Sequence, residues 1–149
     1  MGEVKRRWRD YRTEGGQRPV KDFLMGLPDD QRASVLDAMA LVREKGQREG
    51  GARKLRGRIW EVRVDQGEVI HRITFASVTG RGRILLSLDG FEKKTQQTPS
   101  AKIDLAIKRL RDWEDRGKKE RKASRPQMRG RISYERGGDY MSGVICYLL

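Results

Sequence analysis

The chain has 149 residues, of which 36% are hydrophobic, and its 34 Lys and Arg against 21 Asp and Glu give a formal net charge of +13. This length suits one domain with a short appendage, and this charge favours an anionic partner such as nucleic acid, an acidic membrane face or an acidic protein. The single cysteine and the single histidine exclude an internal disulfide and a His/Cys zinc site of ordinary ligand count.

The apolar segments of the chain predict no membrane insertion. The N-terminal stretch MGEVKRRWRDY is charged throughout and lacks the apolar core of a signal peptide. The longest uncharged apolar run, GVICYLL, is too short for a transmembrane helix. We therefore expect a soluble cytoplasmic protein that has no membrane partner.

The first third of the sequence predicts one strand and two helices. Residues 6–12, RRWRDYR, have the weak alternation of a short edge strand. A short helix with the sequence PVKDFLMGL opens at Pro19. A longer helix begins near Asp29, carries apolar residues at helical spacing and ends at Gly46. Residues 47–57 are expected to form a loop, because they are rich in glycine and basic residues.

The spacing of apolar residues then changes to two, which predicts three strands. The segments RIWEVRV, VIHRITFA and RILLSLDGF follow one another through the turns DQG and TGRG, so they form an antiparallel meander. In the first strand, alternation puts Glu61 and Arg63 on the face opposite Trp60, which we expect in the core. In the second strand, His71 shares the core-facing side, and Arg72 lies on the opposite, exposed side.

A third helix is predicted to start at Thr98, with that residue as the N-cap and Pro99 in the first helical position. It presents one apolar stripe that can cover the sheet, and it ends at Gly117. The expected fold class is therefore α+β. A small antiparallel sheet, made of the three-strand meander and the N-terminal edge strand, has helices packed on one side.

The composition changes after the third helix. Residues 118–131 contain seven Lys or Arg against one acid, Glu120. Such like-charge crowding with few apolar residues predicts a disordered basic tail. The chain is thus divided into a folded domain, residues 1–117, and a basic tail, residues 118–149.

Four cations are expected near one another on the sheet. Arg63 and Arg72 lie on adjacent strands and on the same face, and Lys93 and Lys94 leave the third strand nearby. Such a cluster repels itself unless an anion is bound, and phosphate fits because guanidinium groups bind its oxygens in pairs. A solvated basic face explains the same residues equally well. Because Arg72 is expected to be exposed, its replacement by alanine is predicted to leave the fold intact.

Several segments, spread over roughly residues 6–115, share their residues and spacing with a known family. They are KLRGRIWEVRV, HRITF, LLSLDGF, GFEKKTQQTPSAKIDLAIKRL and the opening GQRPVKDFLMGLP. Together they resemble the RelE/ParE superfamily of bacterial toxins, and specifically its phage-derived HigB-like branch. The tail after Gly117 lies outside this resemblance.

The resemblance implies a RelE-like fold and the toxin of a type II toxin–antitoxin system, an endoribonuclease that cleaves messenger RNA on the ribosome. It implies catalytic roles for Arg63, Arg72, Lys94, Lys93 and Glu61. RNA or phosphate binding is expected at Lys54, Arg56, Arg58 and Lys93. Neither a metal nor a small-molecule cofactor is expected. The expected partners are the ribosome, messenger RNA and a cognate antitoxin, encoded nearby and carrying a helix-turn-helix.

The chemistry expected of such a site is attack by the ribose 2′-hydroxyl on the neighbouring phosphate, with Lys93 or Lys94 as acid or base and Glu61 as an alternative base. No tyrosine or histidine is found at the positions where other members of the superfamily use one. Two further functions therefore stay open. One is a ParE-like topoisomerase poison, and the other is a basic module that binds RNA or the ribosome without catalysis.

Overall fold

The computed structural model describes residues 5–78 and 82–124, which form five strands and three helices. The helices are α1 (Pro19–Met25), α2 (Asp29–Lys45) and α3 (Ser100–Ser124). The strands are β1 (Arg7–Asp10), β2 (Arg53–Arg56), β3 (Ile59–Asp65), β4 (Ile70–Ser77) and β5 (Ile84–Lys93). Among these residues, no helix has the length and apolar character needed to span a membrane.

The strands make one mixed sheet in the order β1-β5-β4-β3-β2. The meander of β3, β4 and β5 is antiparallel as predicted, and the N-terminal strand β1 pairs in parallel with β5 at one edge. Strand β2 corrects the expected loop at 47–57, because Arg53–Arg56 pairs with β3 at the other edge. The α+β class is confirmed.

A first cluster of buried side chains lies between the sheet and the helices α1 and α2. Trp8 is buried in it, donates a hydrogen bond from Nε1 to the Met39 carbonyl at 2.8 Å, and meets the Phe75 ring edge-on at 4.9 Å between centroids. Trp60 packs against this cluster but is only partly buried. Its predicted core position is thus only partly confirmed.

A second cluster joins the sheet to α3, through residues such as Leu86, Ala106 and Leu110. The neighbouring residues Leu85 and Leu86 belong to the first and the second cluster respectively. Successive strand residues point to opposite faces of a sheet. Helices α1 and α2 therefore pack together on one side of the sheet, as expected. Helix α3 packs on the strand residues that point to the other face, which is called the α3 face below.

Helix α3 runs to Ser124, so the prediction that it ends at Gly117 is wrong. A glycine inside a helix costs only about 1 kcal/mol relative to alanine, and the following KKERKA segment consists of residues that favour a helix. Arg116 also secures this part of α3, since it bonds Asp112 one turn earlier and the Arg12 carbonyl after β1. Residues 118–124 of the predicted tail are thus helical, and residues 125–149 lie outside the described part.

Candidate active site

Glu61 occupies the centre of a polar cluster on the α3 face of the sheet. Only 1% of the residue is exposed. One carboxylate oxygen, Oε2, accepts a short hydrogen bond from the Thr98 hydroxyl and lies 3.8 Å from Arg72 Nη1. The other oxygen, Oε1, is 3.3 Å from Arg63 Nε. Two arginines and one hydroxyl thus surround a carboxylate that solvent hardly reaches.

Arg72 is fully buried, so the prediction that it lies on an exposed face is wrong. Its Nη1 donates to the Thr98 hydroxyl at 2.7 Å, and its Nη2 donates to the Thr95 carbonyl. Among the described residues, its Nε has no hydrogen-bond partner. Alternation places the side chain on the face opposite Ile73, as expected, but the segment from Lys94 to Pro99 covers that face.

Arg63, on the neighbouring strand β3, also forms hydrogen bonds to the segment that covers Arg72. Its Nη2 donates to the Gln96 carbonyl at 2.6 Å and lies 3.2 Å from the Gln96 side-chain oxygen. The Arg63 side chain is 14% exposed, against 0% for Arg72. The structure therefore brings Arg63, Arg72 and Glu61 together, as predicted, but only Arg63 of the three keeps access to solvent.

Lys93 and Lys94 are exposed at the end of β5. Phe91 of β5 pairs with Arg72 of β4, and Lys93 follows Phe91 by two residues along β5. Lys93 therefore lies on the same face of the sheet as Arg72. Lys94 opens the segment that Arg63 and Arg72 hold. The lysine pair thus stands beside the buried cluster, on its solvent side.

The other expected RNA-binding residues are not gathered at this cluster. Arg56 is 2.8 Å from Asp104, and Arg58 is 2.8 Å from Glu114, so acids of α3 partly neutralise both. Lys54 is exposed and pairs with Trp60, which places it on the α1 and α2 face of the sheet. These three residues contribute to the basic surface at and beside strand β2.

Burial dominates the electrostatics of Glu61. Loss of solvent raises the pKa of its carboxyl, while the Thr98 hydroxyl, the Arg72 charge and the Arg53 charge oppose that rise. A carboxyl whose pKa is raised by burial near cations is a feature of many functional sites, although structural ion pairs produce it too.

His71 is buried, as predicted for a core residue. It lies on the other face of the sheet, where its ring meets Phe23 edge-on at 5.9 Å, and its Nε2 is 3.2 Å from a Glu92 carboxylate oxygen. Burial lowers the pKa of the imidazole. His71 is therefore not part of the polar cluster around Glu61.

No group of three or more His, Cys, Asp or Glu side chains arranged to hold a metal ion occurs within residues 5–78 and 82–124.

The sequence of the chain matches the family described as "Phage derived protein Gp49-like (DUF891)" over residues 22–111. The chain belongs to this Gp49-like family. The family is part of the RelE/HigB toxin group, which confirms the resemblance seen in the sequence. Two curated relatives, both named "Probable endoribonuclease HigB1", come from Mycobacterium tuberculosis strains CDC 1551 / Oshkosh and ATCC 25618 / H37Rv. Each is 30% identical over 107 residues, which cover 71% of this chain and 83% of the relative.

The part of this Gp49-like chain that matches the family contains every residue of the polar cluster. It begins within α1 and ends within α3, so it includes β2 to β5 and the segment that covers Arg72. Sequence reasoning missed the role of Thr98, which it assigned to helix capping. The signal available was the position of Thr98 in the segment KKTQQT, five residues after the end of β5, which pairs with the Arg72 strand β4 and lies two strands from the Glu61 strand β3.

Proposed function

We propose that this protein is the toxin of a toxin–antitoxin pair and that it cleaves messenger RNA bound to the ribosome. The observation that carries the proposal is the family match over residues 22–111, together with 30% identity to a protein named as an endoribonuclease. The net charge of +13 and the lysine pair beside Arg63 suit a polyanionic substrate.

The proposed reaction is an internal transfer of the phosphate. The ribose 2′-oxygen forms a bond to the adjacent phosphorus, and the bond from phosphorus to the 5′-oxygen of the next nucleotide breaks. The products are a 2′,3′-cyclic phosphate and a 5′-hydroxyl. One group removes the proton of the 2′-hydroxyl, and another supplies a proton to the leaving oxygen. Cations placed around the phosphate stabilise the charge that accumulates in the transition state.

The accessible cations are assigned to the phosphate. Lys93 and Lys94 are exposed, and Arg63 retains partial exposure, so these three side chains can approach an RNA strand on the α3 face. Lys93 or Lys94 supplies the acid or the base. Removing one preorganised donor from such a site typically costs about 2.7 to 4 kcal/mol of transition-state stabilisation.

Glu61 and Arg72 are assigned to positioning rather than to contact with RNA. Both are buried, and Thr98 bonds to both. Through Thr95 and Thr98, they fix the segment that follows Lys94. Their removal would therefore displace the lysine pair from the phosphate, even without a direct contact.

The burial of Glu61 and Arg72 also favours a second candidate function, a module that binds RNA or the ribosome without cleaving it. Two of the five residues expected to be catalytic are enclosed by the chain itself. A binding surface made of exposed lysines and a partly exposed arginine needs neither of them to reach the ligand. Cleavage must therefore be measured directly.

Sequencing of RNA 5′ ends in cells, before and after induction of the toxin, tests the proposal. Cleavage on the ribosome produces new ends at a fixed position relative to codons, and Lys94→Ala should remove them. Lys45→Ala, which changes an exposed lysine at the end of α2, is the matched control and should leave them in place. Intact transcripts with DNA breaks would instead indicate a topoisomerase poison, and growth inhibition with neither would indicate a binding module.

A reaction with purified components tests the chemistry. The chain is mixed with messenger RNA in the presence and absence of ribosomes, with and without EDTA. Cleavage that requires ribosomes, resists EDTA and yields a cyclic phosphate supports the mechanism. Products with a 5′-phosphate, or cleavage abolished by EDTA and restored by a divalent metal, would contradict it.

Membership of a toxin–antitoxin family implies a cognate antitoxin. We expect it to be encoded nearby and to contain a helix-turn-helix. The +13 charge of the toxin would speed capture by an acidic segment of that partner. Co-expression with the neighbouring gene should restore growth, and the two proteins should co-purify in a complex that forms more slowly as salt rises.

A further inference from the structure

A second basic feature lies at the other end of α3, far from the Glu61 cluster. A cleft of about 460 Å³ opens between the region of strand β1 and the C-terminal part of α3. Ligand sites commonly have volumes of about 300 to 1,000 Å³. Five arginines line the cleft against two acids, and the lining is completed by a tryptophan and a glycine: Arg9, Arg12, Arg18, Arg116, Arg121, Asp10, Glu120, Trp113 and Gly117.

The walls of the cleft are fixed by hydrogen bonds. Arg18 binds Asp10 with two parallel contacts of 2.6 and 2.7 Å. Arg116 donates to Asp112 at 2.8 Å and to the Arg12 carbonyl, which ties α3 to the segment after β1. These two ion pairs fix Arg18 and Arg116 in the walls, and Arg9, Arg12 and Arg121 bring further positive charge to the cleft. Burial and the neighbouring Arg7 charge lower the pKa of one of these cations, Arg9, while the charge of Glu120 in the same cleft opposes that shift.

Trp113 and Gly117 give the α3 wall its shape. They lie one turn apart on the helix, and both line the cleft. Glycine is unfavourable inside a helix, yet a Cβ atom at Gly117 would meet no other side chain or strand within 4 Å. Packing within the described chain thus gives no reason for a glycine here. The missing side chain leaves open space on this wall of the cleft.

We propose that this cleft binds a segment of single-stranded RNA, with backbone phosphates on the arginines and a base against Trp113. Grooves that combine guanidinium groups with an aromatic face are typical of single-strand binding, because every base can stack. The cleft is separate from the proposed active site, since Gly117 is about 25 Å along the helix from Ser100. The proposal rests on the proposed function only in naming RNA as the anion.

The test measures binding of a fluorescein-labelled, fully 2′-O-methylated oligoribonucleotide by anisotropy over a range of salt concentrations. This probe has no free 2′-hydroxyl, so it reports binding even if the proposed nuclease activity is absent. We expect the double variant Arg12→Glu, Arg121→Glu to bind more weakly. The slope of log affinity against log salt should fall by about 0.7 for each phosphate that the variant no longer neutralises. The matched control, Arg48→Glu with Arg111→Glu, makes the same charge change at exposed arginines outside the cleft.

Two further variants test the α3 wall. Trp113→Leu keeps an apolar side chain against the second cluster but removes the ring, and we expect affinity to fall roughly 5-fold or more. Gly117→Ala should raise the melting temperature, because alanine favours the helix, and at the same time weaken binding. If a variant loses both thermal stability and affinity, a folding defect accounts for its weaker binding. Thermal melts of every variant therefore accompany the titrations.

Equal weakening by the cleft variants and the control variants would overturn the proposal, because only the overall charge would then matter. Unchanged oligonucleotide binding in the cleft variants, with loss of binding to a decaglutamate peptide, would overturn it too, since an acidic protein segment would be the ligand. Failure of the wild-type chain to cleave RNA, with cleft-dependent binding intact, would contradict the proposed function and support RNA binding in the cleft.

Discussion

Replacement of Arg72 by alanine is expected to destabilise the fold strongly. The guanidinium is fully buried, lies 3.8 Å from Glu61 Oε2 and donates hydrogen bonds to Thr98 and Thr95. Removing one partner of a buried ion pair typically costs about 3 to 5 kcal/mol, because the other charge stays buried without compensation. Domains of this kind have total stabilities of about 5 to 15 kcal/mol. The expected loss is therefore a large fraction of the total free energy of unfolding.

The assay is urea and thermal unfolding of the purified variant, followed by circular dichroism. For a chain near this length, 1 kcal/mol shifts the melting temperature by about 2 to 4 °C, so the expected decrease is about 6 to 20 °C. Arg111→Ala is the matched control, since Arg111 is exposed on α3, and its effect should stay within about 0.5 kcal/mol. The double variant Glu61→Leu, Arg72→Met should recover much of the stability, because apolar side chains of similar volume often replace a buried pair without cost.

The pH dependence separates the ion pair from simple packing. Without the Arg72 charge, which opposes the effect of burial, the pKa of Glu61 should rise further. The cost of Arg72→Ala should then be largest at neutral pH and smaller in acid, where Glu61 binds a proton and carries no charge. A variant that melts within 2 °C of the wild type, or whose destabilisation is the same at every pH, would refute the assignment of a buried charged pair.

Three further predictions concern neighbouring positions. Lys94→Ala should reduce cleavage by about 100-fold or more, the equivalent of one preorganised donor, with an unchanged melting temperature; a fully active variant would remove Lys94 from the site. Because burial raises the pKa of Glu61 above its ordinary value of 4.5, its carboxyl contributes stability below about pH 4.5 that is lost as the pH rises through the folded-state pKa. Wild type should therefore lose stability relative to Glu61→Gln as the pH rises above about 4.5, and a constant difference would contradict the pKa direction. Gly90→Ala should cost about 1 to 3 kcal/mol in urea unfolding, because a Cβ atom there would lie 2.5 Å from Phe23 Cδ2; an unchanged midpoint would show that the Phe23 ring moves freely.

Local sequence patterns were sufficient to predict most elements of the fold. Three of the strands follow from alternation, and α1 and α2 follow from helical spacing with a glycine after each helix. Strand β2 could not be found in this way. Its sequence, RKLR, is cationic at three of four positions, and it is a strand because it pairs with β3 at the sheet edge.

The candidate site shows a sharper limit of sequence reasoning. Alternation correctly puts Glu61, Arg63 and Arg72 on one face of the sheet, but it does not tell whether that face is covered. The cover comes from Thr95 to Thr98, more than 20 residues later in the chain, and it exists because the arginines bind its carbonyl and hydroxyl oxygens. A buried arginine that is hydrogen-bonded to its own chain has the same sequence pattern as an exposed arginine that can bind phosphate.

Two truncations that differ by seven residues test where the functional part of the chain ends. A chain ending at Ser124 keeps all of α3, whereas one ending at Gly117 loses the last two turns, with Glu120 and Arg121 of the cleft. Four of the seven Lys and Arg residues between 118 and 131 lie on those turns, so the basic charge is divided between α3 and the segment after it. We expect both chains to cleave messenger RNA at saturating concentration, because neither lacks a residue of the Glu61 cluster. In ribosome co-sedimentation at several salt concentrations, the chain ending at Gly117 should bind more weakly than the other and have a smaller salt slope. Complete loss of cleavage in a folded chain ending at Ser124 would mean that residues 125–149 belong to the active domain. Equal ribosome affinity of the two truncations would mean that the last turns of α3 take no part in binding RNA.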